Sequence, residues 1–535
     1  MKRFKRVLSL LVCVLVALGM STGCSSTDGK SGETTKESSA AGEKSSEVSA
    51  SKLTDKEVTL TMMRGEHPSQ PFLQDSPILS EIYKKTGIKI ELEAVTSDYE
   101  QKAATLVASG DMPDIMIASR LGAVYYSGKN VFLPVSDYFD VMPNYMKVTK
   151  DDPNFTRCSS DGKYYYLVTS SRSAATLSAT SPLIRQDLLE SLNLEMPKTF
   201  DELHNVLKEF KKAQPDTFPW TCRWETKRLL YIAAYPMGSG YGQDNGMYFD
   251  KDIEGGKWVY GAVRPEFKEV LAYFSTLYKE GILDPDFAIN TSQQFNEKMS
   301  SGKSTFMWEN GGFALNYNKA LAAADPKQKF VQMELLTNSK GQKRNFIYSQ
   351  YNKDDAIVVN KNVKDPGLVM KFIDWFYSEE GTDVTNFGVL NEHYTIEGDK
   401  RIPNPDYIAK FKNDADSWRS YMSSLGAGQL GLAFRYDTGN QEPFLSAEDK
   451  NFYEFWKTAD GFVEELMNPP FTLEEQNELK ELNMAVDAIL LPELDRFILG
   501  TTPLSEFEGI AQKAVEAGAL KIEEIYNKAE GRLKN

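Results

Sequence analysis

The chain reads as an α/β protein in which helices cover a largely parallel sheet, and three local patterns predict it. Residues 58–62 (Val-Thr-Leu-Thr-Met) alternate as a half-buried strand does. Ser76-Pro77 then opens a helix, because Ser is a good N-cap and Pro fits the first helical turn. Two more strand-like runs, 88–92 and 114–118, follow with a helical stretch between them. A β-α-β-α-β opening is the signature of parallel strands joined by crossover helices.

Before the first strand, Lys2, Arg3, Lys5 and Arg6 precede an apolar run over 7–20 and then Ser21-Thr22-Gly23-Cys24. This reads as a secretory signal over 1–23. Its apolar run is shorter than the roughly 20 residues of a permanent bilayer span. The end resembles a bacterial lipobox, in which Cys24 becomes the lipidated N-terminus, although Ser21 stands where that motif usually has Leu. Residues 24–56 are then the lipidated Cys and a Ser/Thr/Gly/Glu/Lys-rich stretch, too poor in apolar residues to fold, which predicts a flexible tether.

The helix from Pro77 carries Ile78, Leu79, Ile82 and Tyr83 on one face and stops at Gly87. Ile88, Ile90 and Leu92 alternate as the second strand, 99–109 form a helix closed by Gly110, and 114–118 form a short buried strand. Thr199 and Glu202 make a capping-box pattern before Leu203, Val206, Leu207 and Phe210. Residues 247–249 and 258–260 pair as a hairpin, and 265–279 form an amphipathic helix stopped by Gly281. Residues 346–360 are extended, and a Pro-started helix over 366–378 closes at Gly381. From Thr472 the chain is mostly helical, with Pro492 and Pro503 expected as breaks.

The 535 residues carry a formal charge of -15, and removal of the basic leader leaves a more acidic chain. Such a surface repels phosphate backbones and anionic headgroups, so no nucleic-acid partner is expected and membrane attachment falls to lipid. With Cys13 in the leader and Cys24 lipidated, Cys158 and Cys222 remain; buried free thiols are favoured over a bridge. His67, His204 and His393 lack zinc-ligand spacing. G-x-S-x-G and H-E-x-x-H are absent. Gly302-Lys303-Ser304 lacks the upstream Gly of a P-loop, and Asp284/Asp286 read as a helix-ending turn rather than a hydrolytic carboxylate pair. Neither enzymatic activity nor a cofactor is expected.

Several stretches, in order, resemble the extracellular solute-binding proteins, family 1, of bacterial ABC importers, and within them the LipO-like lipoproteins. They are 76–91, Ala108-Ser109-Gly110-Asp111-Met112-Pro113-Asp114-Ile115, Asp161-Gly162-Lys163-Tyr164-Tyr165, 183–203, Tyr278-Lys279-Glu280-Gly281-Ile282-Leu283-Asp284-Pro285-Asp286-Phe287 and 377–381. The resemblance implies a two-lobed, type II periplasmic-binding-protein-like α/β fold with ligand in the cleft. By that analogy lobe one is 57–170 plus about 335–430, and lobe two is 171–334 plus about 431–535. Many relatives carry a calcium loop where this chain has 211–219; alternating carboxylates are missing there, so no metal is expected.

Sugar binding calls for flat aromatic faces and planar polar groups on loops at strand ends. Arg64, Glu66 and His67 follow the first strand. Arg223 and Trp224 fall where relatives have an aromatic cleft segment. Trp308 and Asn310 end a strand before Gly311-Gly312. Tyr351, with Tyr348 and Gln350, and Tyr436 complete the candidates. The resemblance implies a monomeric receptor, anchored on the extracellular face of the cytoplasmic membrane, that passes an oligosaccharide to ABC permease subunits. A peptide or anionic sugar acid is the alternative ligand, and a carbohydrate-active enzyme the alternative class.

Overall fold

The computed structural model describes residues 52–66, 71–119, 123, 126–127, 129–152, 154–160, 162–172, 180–243, 245–347, 352–412, 417–426 and 432–533. The leader, Cys24 and nearly all of the tether lie outside them. Two sheets organise the described chain. Their strands are β1 (Val58–Gly65), β2 (Ile88–Val95), β3 (Ile115–Ser119), β4 (Leu167–Ser171), β5 (Thr180–Arg185), β6 (Phe306–Asn310), β7 (Phe330–Gln332), β8 (Asn352–Val359) and β9 (Arg435–Tyr436). The larger sheet is six-stranded in the order β9-β4-β8-β3-β1-β2, and the smaller is three-stranded in the order β6-β5-β7.

β1 pairs parallel with both β2 and β3, as the β-α-β-α-β opening predicts. The crossovers are α1 (Pro77–Thr86) and α2 (Tyr99–Ser109). Ser76 caps α1 by accepting from the Leu79 N–H, and Gly87 closes it at φ +78°, a conformation glycine adopts without Cβ strain. The late-arriving β8 enters antiparallel to both β3 and β4. Pairing alternates residues between two buried faces. Leu60, Met62, Ile90, Ile115, Ile117, Ile357 and Val359 pack on one side; Met63, Met116, Ala118, Val168, Ala356 and Val358 pack on the other.

The smaller sheet is also covered twice. Ile184, Phe306 and Trp308 face the largest core, built with α3 (Phe200–Ala213), α5 (Pro265–Lys279), α10 (Leu473–Leu499) and α11 (Ala519–Arg532). Leu183, Met307 and Phe330 face α6 (Ser292–Ser300) and α7 (Gly312–Ala324). α4 (Glu225–Ala233) adds Leu229, Leu230 and Ile232 to the largest core, whereas α8 (Pro366–Tyr377) and α9 (Glu379–Phe387) pack against the larger sheet. Two sheet-centred α/β bodies are thus present, each with its own core, in agreement with the expected two-lobed fold.

Local expectations hold at α1, α2, α5 and the hairpin of Met247–Asp250 with Lys257–Tyr260. Three need correction. Gly381 does not close a helix: α8 ends at Tyr377 and Gly381 lies inside α9, capped by Ser378. Pro492 breaks nothing; α10 runs through it, with Leu490, Leu494, Phe497 and Ile498 buried around it. Thr199 caps α3, but Glu202 turns to the Lys198 N–H rather than completing the box. Cys158 and Cys222 are both buried thiols that form no disulfide, as expected.

Candidate functional site

The directions of the strands bring the candidate residues to one edge of each sheet. β1, β3, β4 and β9 run the same way, so Gly65, Ser119, Ser171 and Tyr436 end on one edge, where antiparallel β8 begins. The chain leaves the large sheet after Ser171 and enters the small one at Thr180, which pairs with Asn310 at the end of β6. The carboxyl edge of the large sheet and the Thr180/Asn310 edge of the small one therefore border the same crossing. Open α/β sheets bind ligands outside such carboxyl ends.

On the small-sheet side, Trp220 bridges both Leu283 and Phe306, which extends the edge by a strip, 220–224. Trp224 ends that strip. It is 53 % exposed, the most exposed tryptophan among those described, whereas Trp220 is fully buried. Trp224 and Glu225 have φ of +61° and +66°. Left-handed backbone is an outlier for a bulky aromatic and costs on the order of 1–3 kcal/mol per residue, so the surroundings must enforce it. The Arg223 guanidinium lies 3.8 Å from the Trp224 ring centre and that of Arg228, one helical turn on, 5.6 Å from it. The Phe313 ring is 4.9 Å from Arg223.

Glu309, at the end of β6, joins the two arginines. It accepts from Arg223 Nε and from Arg228 Nη2, both at 2.9 Å, with its side chain 4 % exposed. Burial pushes the Glu309 carboxyl up, but Arg228, Arg223 and the Asn310 N–H outweigh that and hold it below the ordinary glutamate value. An ionised Glu309 and two guanidiniums thus brace an exposed indole near the tight turn from β6 into α7. This can present a flat apolar face next to planar hydrogen-bond donors.

On the large-sheet side the expected residues are more occupied. Arg64 is buried and 3.6 Å from Asp355, while Glu66 accepts from the Phe72 N–H at 3.3 Å. Tyr436 is half-buried and its carbonyl accepts from the Arg172 N–H. Beside it stands an ionic cluster. Arg172 reaches Asp383 at 2.6 Å and Asp437 at 2.9 Å, Arg401 reaches Asp383 at 2.8 Å, and Arg435 reaches Glu379 at 2.9 Å.

Trp308 does not serve as a stacking platform. It is 1 % exposed and lies parallel to Phe200 with ring centres 5.9 Å apart, because its face of β6 turns into the large core. Asn310 is half-buried and accepts from the Gly312 N–H through Oδ1. His67, Tyr348, Gln350 and Tyr351 lie outside the described residues. Arg228 and Phe313 escaped the sequence reading; the i, i+4 spacing of Trp224 and Arg228 at a helix start is the signal that could have found Arg228. Among the described residues, no group of three or more His, Cys, Asp and Glu is arranged to hold a metal, and no helix is long and apolar enough to cross a membrane.

Comparison with known proteins places this geometry in a family. A family model for bacterial extracellular solute-binding proteins matches residues 70–383. Lipoprotein LipO of Bacillus subtilis is 27 % identical over 91 % of this chain and 94 % of its own. The polygalacturonan/rhamnogalacturonan-binding protein YtcQ of the same organism is 26 % identical over 97 % of each chain. Among solved structures, the alginate-binding protein AlgQ2 without calcium ion superposes with a TM-score of 0.74 at 21 % identity, covering 90 % of this chain and 99 % of that one. The S. pneumoniae substrate-binding protein FusA with kestose gives 0.69 at 19 % identity, covering 89 % and 99 %. The structural likenesses carry the fold, and the family match spans more than half of the sequence: this chain belongs to the bacterial extracellular solute-binding proteins.

Proposed function

We propose that this protein is the solute receptor of an ABC importer and captures an oligosaccharide or related carbohydrate. Trp224 carries the reading: an exposed indole, held in strained backbone and flanked by Arg223 and Arg228, sits at the edge that borders the crossing between the sheets. Its face stacks on a sugar ring while Arg223 and Asn310 reach hydroxyls. Arg64, Glu66 and Tyr436 contribute from the opposite lobe, with His67 and Tyr351 nearby in sequence. Relatives support the ligand class, since YtcQ is named for polygalacturonan and rhamnogalacturonan, and FusA for fructooligosaccharide.

In this reading lobe one comprises 57–170 and about 335–430 together with β9, whose Arg435 and Tyr436 pair into the large sheet, and lobe two comprises 171–334 and the rest of about 431–535. Solute touching both lobes only when they close shifts the population toward closure by its differential affinity. The closed complex docks on membrane permease subunits, and the chain performs no chemistry of its own. Cys24 is lipidated, which holds a monomeric receptor at the extracellular face of the membrane.

A second ligand reading rests on charge. Arg223 and Arg228 both pair with Glu309, and these three side chains together carry a formal charge of one positive unit, which suits an acidic sugar. A melting screen against neutral oligosaccharides, acidic oligosaccharides and peptides separates the readings. A ligand at 100 times its Kd adds about 2.7 kcal/mol of stability. Stabilisation by neutral glycans supports the first reading, and by uronate-containing glycans alone the second. A shift with peptides and with no glycan defeats both.

A further inference from the structure

Next to the 220–224 strip lies a polar cluster outside the exposed site, centred on the buried Asp284 and Asn290 and closed on its outer side by the half-buried Lys298 and the exposed Asp286. The Lys298 ammonium, on α6, donates to Asp284 Oδ1 at 3.0 Å and Oδ2 at 2.7 Å, to Asp286 Oδ2 at 2.9 Å and to Asn290 Oδ1 at 2.9 Å. Asp284 is fully buried, so its charge needs the cation. Thr221 Oγ1 donates to the same carboxylate at 2.5 Å.

Asn290 connects this cluster to the strip. With an ammonium on its Oδ1, its amide has one orientation, and the NH2 end faces the other way. That end donates to the Cys222 carbonyl at 3.0 Å and to Asp284 Oδ2 at 2.9 Å. The Asn290 backbone carbonyl in turn accepts from the Trp224 N–H at 3.1 Å. One residue thus clamps the strip at Cys222 and at Trp224, on either side of Arg223. An ion pair alone would need only Asp284 and Lys298; the added Asn290, Thr221 and strip contacts direct the cluster at the backbone that enters the left-handed turn.

We propose that Lys298 is a positioning residue for solute binding: through Asp284 and Asn290 its ammonium holds the 221–224 strip so that Trp224 keeps its left-handed backbone and presents its ring. The inference rests on Trp224 being the stacking platform. The test is amide hydrogen exchange of the full chain, compared between Trp224 and α10. In Lys298→Met and in Asn290→Ala, exchange at Trp224 rises about tenfold or more while α10 stays protected. Lys298→Arg, which keeps a cation, stays within about threefold of the parent. Affinity for whichever glycan stabilises the parent falls about tenfold in Lys298→Met. Asn290→Ala leaves the Asp284–Lys298 pair intact and carries the test should Lys298→Met not fold. Unchanged protection at Trp224 in both variants overturns the proposal, as does an equal rise in α10, which marks general loosening. The exchange readouts need no ligand. Failure of the platform reading shows separately, as unaltered glycan affinity in Trp224→Ala.

Discussion

At Trp224 the exposed ring and the strained backbone point to the same role, because neither helps the fold. A tryptophan outside the core forgoes burial of a large apolar surface, and left-handed backbone adds cost. Trp224→Ala is therefore expected to leave stability nearly unchanged while weakening glycan binding by about 2 kcal/mol, roughly thirtyfold in Kd, by calorimetric titration. Glu309 behaves oppositely. Its carboxylate is the shared partner of Arg223 and Arg228, all three nearly buried. Glu309→Gln removes the carboxylate that both guanidiniums share while leaving them nearly buried, and should cost about 3 kcal/mol in urea unfolding. The sequence could name Trp224 and Trp308 as candidates but not choose between them. β6 is covered on both faces, by the large core at Phe306 and Trp308 and by α6 and α7 at Met307, so it shows no polar alternation to say which way Trp308 points.

At the scale of elements, what the sequence revealed was local chemistry and what it hid was tertiary packing. Ser76, Pro77 and Gly87 bound α1 because capping involves only neighbours. Gly381 carried a second meaning. A Cβ there would lie 2.0 Å from the Trp375 carbonyl oxygen, so the glycine lets α9 begin tightly against the end of α8. Gly381→Ala should cost about 2 kcal/mol or more. Gly531→Ala, in the last turn of α11 with open space about it, should gain up to about 0.5 kcal/mol. Pro492 is tolerated since packing of α10 outweighs one lost backbone bond. The start of α10 holds the clearest titrating contact. Thr472 and Glu475 form a capping box, and Arg532 grips Glu475 at 2.8 and 2.6 Å. Burial raises the Glu475 pKa, but Arg532, the Thr472 N–H and Lys528 lower it further, to about 2. A carboxylate depressed in the folded state stabilises above the unfolded value of about 4.3 and loses that contribution as pH falls toward the folded one. Glu475→Gln should therefore lower stability at pH 7 and flatten the acid limb of the stability curve between about pH 4 and pH 2.

Across the whole molecule, the two cores are joined by more than the crossing strands. Residues 467 and 530, from the C-terminal part of the chain, reach back to the short helix Phe155–Cys158 beside the large sheet. The Met467 N–H donates to Asn154 Oδ1, and Arg157 donates to the Met467 carbonyl. Arg157 and Glu530 form a two-bond pair, both contacts at 2.6 Å, with side chains 6 % and 8 % exposed. Trp258 Nε1 donates to the same Glu530 carboxylate at 2.9 Å, tying the hairpin of the second body into the junction. A pair so placed does two things. It ties α11, and hence the largest core, to the short helix whose Phe155 packs in the first core, and it is expected to couple the unfolding of the two bodies. Glu530→Ala leaves Arg157 buried without its carboxylate, at a cost of about 3–5 kcal/mol. Because the lost contact lies between cores rather than inside one, the loss should fall mainly on their coupling. Scanning calorimetry of the parent is expected to give one transition, and that of Glu530→Ala two, or one whose van't Hoff enthalpy drops below the calorimetric value. A single two-state transition merely shifted to lower temperature would place the pair's whole contribution within one body.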